Sequence, residues 1–139
     1  CDLLKGGAPV LLASLLRADP GFISLVGLAA FVGHLFPVYL GFKGGKGVAT
    51  AFGVMLAIAP AAAILSAAVF AVVLALKRYV SLGSIIAAST LPVFLSFMPR
   101  YKGFVPLGAA VALLIIVKHK ENIKRLVEGK ENKFGGTKG

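Results

Sequence analysis

Long apolar runs, broken by short clusters of Lys, Arg, Gly and Pro, set the pattern of this chain. Residues 20 to 42, 47 to 76, 79 to 99 and 103 to 117 contain no Asp, Glu, Lys or Arg. About 20 apolar residues suffice for a helix to cross the hydrocarbon core of a bilayer, so each run reads as membrane-embedded helix. A fifth run, Gly6 to Leu16, reaches that length only if the helix starts near Asp2 and Lys5 extends its ammonium group to the interface.

The run from Gly47 to Leu76 is long for one span and brief for two. Pro60 stands near its middle, where it removes a backbone donor and breaks or turns a helix. Charge sidedness decides between the readings. With a turn at Pro60, one membrane side collects Lys5, Lys43, Lys46, Lys77, Arg78 and the seven basic residues after Val117, against Arg17, Arg100 and Lys102 on the other, a split of 12 to 3. Cytoplasmic flanks carry the excess of Lys and Arg, so this split is preferred. The predicted fold is all-α: a polytopic helical membrane protein with about six transmembrane helices, roughly 2 to 16, 21 to 40, 48 to 59, 61 to 77, 82 to 98 and 103 to 120. Both termini are then cytoplasmic, and the loops at 41 to 47 and 77 to 81 share a face with the tail.

Two units are expected, a transmembrane domain over 1–120 and a cytoplasmic amphipathic tail over 121–139. In the tail, Ile123, Leu126 and Val127 have helical spacing, Glu121 and Arg125 form an i,i+4 pair, and Gly129 is placed to cap the helix. Such a helix lies on the membrane surface.

Composition agrees with this layout. The 139 residues are 58% hydrophobic and 14% charged, with a mean hydropathy of +0.93, more apolar than a soluble domain of this length can hide. The net charge of +10 would suit nucleic acid if it formed a stripe on a soluble motif. Here the basic residues interrupt apolar runs, so the expected anionic partners are lipid headgroups and small phosphorylated substrates. The single cysteine, Cys1, forms no internal disulfide and argues against structural zinc. The chain opens on Cys1 without a basic n-region and cleavage site, so no signal peptide is expected, and an incomplete N-terminus is.

The densest chemical signal is Gly33-His34-Leu35-Phe36-Pro37, followed by Gly41-Phe42-Lys43-Gly44-Gly45-Lys46-Gly47 and an apolar run from Val48. Glycines and lysines at the mouth of a helix let backbone amides approach an anion, and the helix N-terminus adds positive partial charge. Phosphate is the natural ligand, although a flexible turn with interfacial lysines fits such a loop equally well. The spacing is not that of a nucleotide-triphosphate loop, because Gly41 is one residue too close to Gly45 and Gly47 follows Lys46. Between Asp19 and Glu121 there is no carboxylate, which argues against an acid pair, an Asp-assisted histidine or a carboxylate metal cage there. Tyr39 stands where a His-x4-Asp acyltransferase dyad would place its acid. Proton-coupled transport, which uses intramembrane acids, is disfavoured too.

Gly33-His-x-Phe-Pro, Phe42-Lys-Gly-Gly-Lys-Gly-Val-Ala-Thr50, Arg78-Tyr-Val-Ser-Leu-Gly-Ser84 and His119-Lys-Glu-Asn-Ile-Lys-Arg-Leu-x-x-Gly-x-Glu131, with Asp2-x-x-Lys5-Gly6, resemble the PlsY family. These are the acyl-phosphate-dependent glycerol-3-phosphate acyltransferases of bacteria. The resemblance is collinear over nearly the whole chain. It implies a seven-helix inner-membrane enzyme that transfers a fatty acyl group from acyl phosphate to glycerol 3-phosphate, giving lysophosphatidic acid, without metal, nucleotide or other cofactor. The family's first helix and its Ser-Gly-Asn-x-Gly-Ala-Thr-Asn loop are not in this sequence. A monomer is expected.

Carried residue by residue, the resemblance implies that Gly44, Gly45 and Gly47 present amides to a phosphate, with Lys46 as the main charge and Lys43 in support. Ser84, Ser81 and Arg78 bind phosphate, and His119 and Asn122, three apart on one helical face, hold glycerol 3-phosphate. His34 stabilises the Gly-rich loop. Each has a plainer reading: Lys43 and Arg78 as interfacial topology signals, His119 and Asn122 as surface polarity, Ser81 as a helix cap. The acyl chain is expected in a groove lined by side chains such as Phe52 and Met55. A transporter or channel for a phosphorylated solute is the competing class.

Overall fold

A computed structural model of the chain describes residues 2–16, 18–36 and 45–135. Seven α-helices follow in order: α1 Asp2–Leu15, α2 Pro20–Leu35, α3 Val48–Ile58, α4 Pro60–Lys77, α5 Val80–Phe97, α6 Val105–Lys118 and α7 Lys120–Val127. A 3-10 segment, Pro99–Phe104, leads into α6, and no strand occurs among the described residues. Among the described residues, three stretches, Pro60–Lys77, Val80–Phe97 and Pro99–Lys118, are long and apolar enough to cross a membrane. Pro20–Leu35 and Val48–Ile58 are apolar but shorter; at 1.5 Å per residue α3 rises only about 16 Å, roughly half the hydrocarbon core.

The ends of these helices have local causes. Asp19 caps α2, its carboxylate accepting from the amides of Gly21 at 2.8 Å and Phe22 at 3.1 Å, with Pro20 at the first helical position. Helix α2 ends at Leu35, where Phe36 takes φ −132°; residues 37–40, to which the expected helix runs, lie outside the described residues. Pro60 opens α4 directly after α3. The start of α3 and the end of α4 both lie at the end of the bundle that holds Glu131: Lys46 lines a cavity with Glu131, and Arg78 pairs with Phe134. The chain therefore reverses at Ala59–Pro60, as the break in the apolar run requires.

Helix α1 packs on α3 and α2, α4 on α5, and α5 on α6. The α1–α3 approach depends on glycine. A Cβ at Gly53 would collide with the carbonyl of Leu3, and one at Gly6 with that of Thr50, the small-residue contact that lets membrane helices meet closely. Phe31, Leu35, Val54, Met55, Leu95 and Val111 form the buried centre. Leu12, Leu16, Leu25, Leu76 and Phe97 point outward, as lipid-facing residues do. Ser24, Ser89 and Ser96 each donate to the carbonyl four residues back, which satisfies the hydroxyl within its own helix.

Helix α7 ends at Val127, and Gly129, with φ +69°, follows in the expected capping position, its amide donating to the Leu126 carbonyl. The side-chain contacts of the tail differ from the sequence expectation. Arg125 pairs with Glu131 at 2.7 Å rather than with Glu121. The buried residue of α7 is Asn122, whereas Val127 is exposed.

Candidate active site

A cavity of about 550 Å³ is lined by residues of α3, α4, α5 and α6. Its apolar part is lined by Phe52 and Met55 of α3, Ala63 and Phe70 of α4, Leu91 of α5 and Val111 of α6. Toward the other end the lining becomes polar: Lys46, Ser81, Ser84, His119, Asn122, Glu131 and Asn132.

Two helix N-termini open on that polar end. Gly47, at φ +76°, precedes α3 in a left-handed conformation and supplies no side-chain cap. Its Cα lies against Phe31 and Leu35, where a Cβ would come within 2.6 and 2.7 Å of their side chains, so both backbone angle and space demand glycine. The first amides of α5 are likewise without a side-chain cap. Val48 and Ala49 of α3, and Val80 and Ser81 of α5, line the same cavity. Uncapped amides and the positive ends of two helix dipoles thus share the cavity lining with Lys46, an arrangement chemically suited to receive an anion.

Ser81 does not cap α5. The helix begins at Val80, and the Ser81 hydroxyl donates to Glu131 Oε1 at 2.8 Å. Ser84 is buried and donates to the Val80 carbonyl at 2.9 Å, which leaves its oxygen lone pairs for a further partner.

His119 is 2% exposed, not a surface residue. Its Nδ1 lies 2.8 Å from the Ile115 carbonyl. A carbonyl can only accept, so Nδ1 carries the proton and Nε2 is left as an acceptor in the neutral ring. Burial lowers the pKa of His119 and the nearby Lys46 charge lowers it further, while the Ile115 bond and Glu131 raise it; the net shift is downward. A neutral imidazole follows at pH 7.

Glu131 is the site residue that the sequence reading passed over. Its Oε1 accepts from Ser81 and from Asn122 Nδ2, at 2.6 Å, and its Oε2 accepts from Arg125 at 2.7 Å. Burial raises its pKa, but the bonds from Asn122, Ser81 and Arg125 outweigh burial and hold it below the usual carboxylate value. The cavity lining thus contains a carboxylate, which comes from beyond the Asp19–Glu121 stretch that has none. A second carboxylate, Asp2, brings Oδ1 to 3.9 Å from His34 Nδ1.

The other expected residues are placed as follows. His34 lies beside Gly45, its Nε2 3.2 Å from where a Gly45 Cβ would stand, and is not part of the cavity lining. Arg78 is also outside the lining; its Nε donates to the Phe134 carbonyl at 3.2 Å and its own carbonyl accepts from the Phe134 amide at 2.6 Å. Lys43 and Gly44 lie outside the described residues. Asn132 could be found from sequence only by knowing that the chain returns after Gly129.

Comparison with known proteins agrees with the helical membrane fold. The profile of the family Glycerol-3-phosphate acyltransferase matches residues 1–129. A glycerol-3-phosphate acyltransferase of Geobacter sulfurreducens is 51% identical over 134 residues, covering 96% of this chain and 69% of the relative. One from Neisseria meningitidis is 44% identical, with 99% and 70% covered. Two crystal structures of PlsY, an integral membrane glycerol 3-phosphate acyltransferase, superpose with TM-score 0.91 at 41% identity over 96% of this chain. They are its glycerol 3-phosphate and lysophosphatidic acid forms, of which 68% and 69% are covered. This chain belongs to the glycerol-3-phosphate acyltransferase family, as a polytopic helical membrane enzyme.

Proposed function

We propose that this enzyme transfers a fatty acyl group from acyl phosphate to glycerol 3-phosphate, yielding lysophosphatidic acid and phosphate, at the cytoplasmic face of the bacterial inner membrane. The observation that carries the reading is a single cavity, apolar along Phe52, Met55, Leu91 and Val111 and polar at Lys46, Ser84, His119 and Asn122. That gradient suits a fatty acyl chain whose activated end meets a small anion. The likeness to PlsY in its glycerol 3-phosphate and lysophosphatidic acid forms supports the same substrate and product here.

Acyl phosphate carries a good leaving group, so catalysis consists mainly of positioning two anions and stabilising developing charge. The amides before and within the first turn of α3, together with Lys46, hold the phosphate of the donor. His119 Nε2 and Asn122 hold glycerol 3-phosphate with its hydroxyl toward the acyl carbon. The hydroxyl oxygen forms the new C–O bond, the acyl–phosphate C–O bond breaks, and phosphate leaves against Lys46. The hydroxyl proton passes to a phosphate oxygen of the substrate, so no protein carboxylate acts as base. The chain works as a monomer.

Product formation from labelled glycerol 3-phosphate tests the reading, with acyl phosphate, acyl-CoA and acyl carrier protein compared as donors. Labelled lysophosphatidic acid from acyl phosphate alone is expected; turnover with acyl-CoA alone would overturn the donor assignment. Cysteine labelling in cells tests sidedness, with position 121 expected to react only from the cytoplasm.

A further inference from the structure

The ammonium group of Lys118 donates to the carbonyl of Leu35 at 2.9 Å and lies 4.0 Å from the centre of the Phe36 ring. Lys118 is the last residue of α6 and Leu35 the last of α2. The final carbonyls of a helix have no partner within it and carry its negative partial charge, so a cation there supplies both a donor and a counter-charge. The aromatic face adds a second attraction for the same group.

On either side of this contact stand the two halves of the site. The next residue after Lys118 is His119, buried and facing the cavity. The side chains of Leu35 itself and of Phe31 form the seat against which Gly47 rests, one residue from Lys46. The path from imidazole to phosphate loop therefore runs through His119, Lys118, Leu35, Gly47 and Lys46. Lys118 itself does not line the cavity.

We infer that Lys118 is a positioning residue that fixes the separation between His119 and the Lys46 loop, and hence between the two substrates. The inference rests on the site proposed above. Interfacial lysines commonly serve only as topology flanks, but a flank needs neither a defined acceptor nor a ring beneath it. Both substrates retain their own contacts without Lys118; what is lost is their alignment.

Misplacing reacting groups by about 1 Å can cost a hundredfold in rate. Lys118→Met should therefore lower kcat by roughly ten- to a hundredfold while leaving KM for each substrate within about twofold. Lys118→Arg, which keeps the charge and the donor, should restore most of the rate. Phe36→Leu should lower kcat in the same direction by less, and serves if Lys118→Met fails to insert. A second readout separates alignment from mere stability. In a His119→Ala background the effect of Lys118→Met should shrink, because the distance to an absent imidazole no longer matters, whereas a structural defect adds in full. If His119→Ala and Lys46→Met are themselves silent, the proposed site is wrong. If they are impaired while Lys118→Met has wild-type kcat, or if its effect is fully additive with His119→Ala, the positioning role of Lys118 is overturned alone.

Discussion

Asn122 Nδ2 donates to Glu131 Oε1 over 2.6 Å, joining the buried residue of α7 to the segment that returns after Gly129. The same oxygen accepts from Ser81 at the start of α5. Asn122, which is proposed to hold substrate, is thus held in turn by Glu131.

Glu131→Ala should destabilise the protein by about 2 to 3 kcal/mol, because it leaves the Ser81 hydroxyl and the Asn122 amide as part-buried donors without their acceptor. Glu131→Gln retains an acceptor and should cost less. Thermal unfolding in detergent measures both, and equal melting temperatures for all three proteins would remove Glu131 from this role.

Much of the fold was legible because a membrane helix must satisfy its own backbone, so stretches free of charge mark themselves. The reversal at Pro60 was legible from proline chemistry. Lys46, Ser84, His119 and Asn122 were named from motifs, and the folded chain brings them to one cavity. Glu131 was not legible as a site residue, because Gly-Lys-Glu-Asn-Lys reads as a solvated tail and its contact with Ser81 spans 50 residues. Periodicity reports which face of a helix is apolar, not where a chain returns after a left-handed glycine. Arg78 illustrates the same limit from the other side: a basic residue beside a motif engages the Phe134 backbone 56 residues away.

Stability should depend on pH through His119. Its folded-state pKa is depressed below 6.5, burial being the first cause, so the unfolded chain binds the proton more readily. The stabilisation is complete above about 6.5 and is lost as pH falls from there toward the folded value. Melting temperature should drop between pH 7.5 and 5.5, and drop less in His119→Gln. Glu131, whose pKa is also depressed, acts in a lower window, below about 4.5. An identical pH slope in wild type and His119→Gln would contradict the assignment.

Gly47→Ala should impair activity far more than Gly45→Ala. At Gly47 a side chain meets both a positive φ and the Phe31 ring and Leu35 methyl, whereas at Gly45, among the described residues, it meets the edge of His34 at 3.2 Å. The left-handed conformation alone costs an L-residue about 1 to 2 kcal/mol. Steady-state kinetics on both variants, normalised to inserted protein, check the order.

Lys46→Met should lower turnover by roughly a hundredfold, the usual loss for a preorganised charge of about 3 kcal/mol. Lys43→Met should have a much smaller effect, as an interfacial lysine would. Small and equal effects would make both residues topology signals.

The central claim, that His119 and Asn122 hold glycerol 3-phosphate together, is tested most directly by a double-mutant cycle on its KM and kcat. His119→Ala and Asn122→Ala should each raise KM for glycerol 3-phosphate or lower kcat, leave KM for acyl phosphate nearly unchanged, and combine less than additively because both serve one ligand. Wild-type kinetics for both single mutants, in protein shown to be normally inserted, would contradict it.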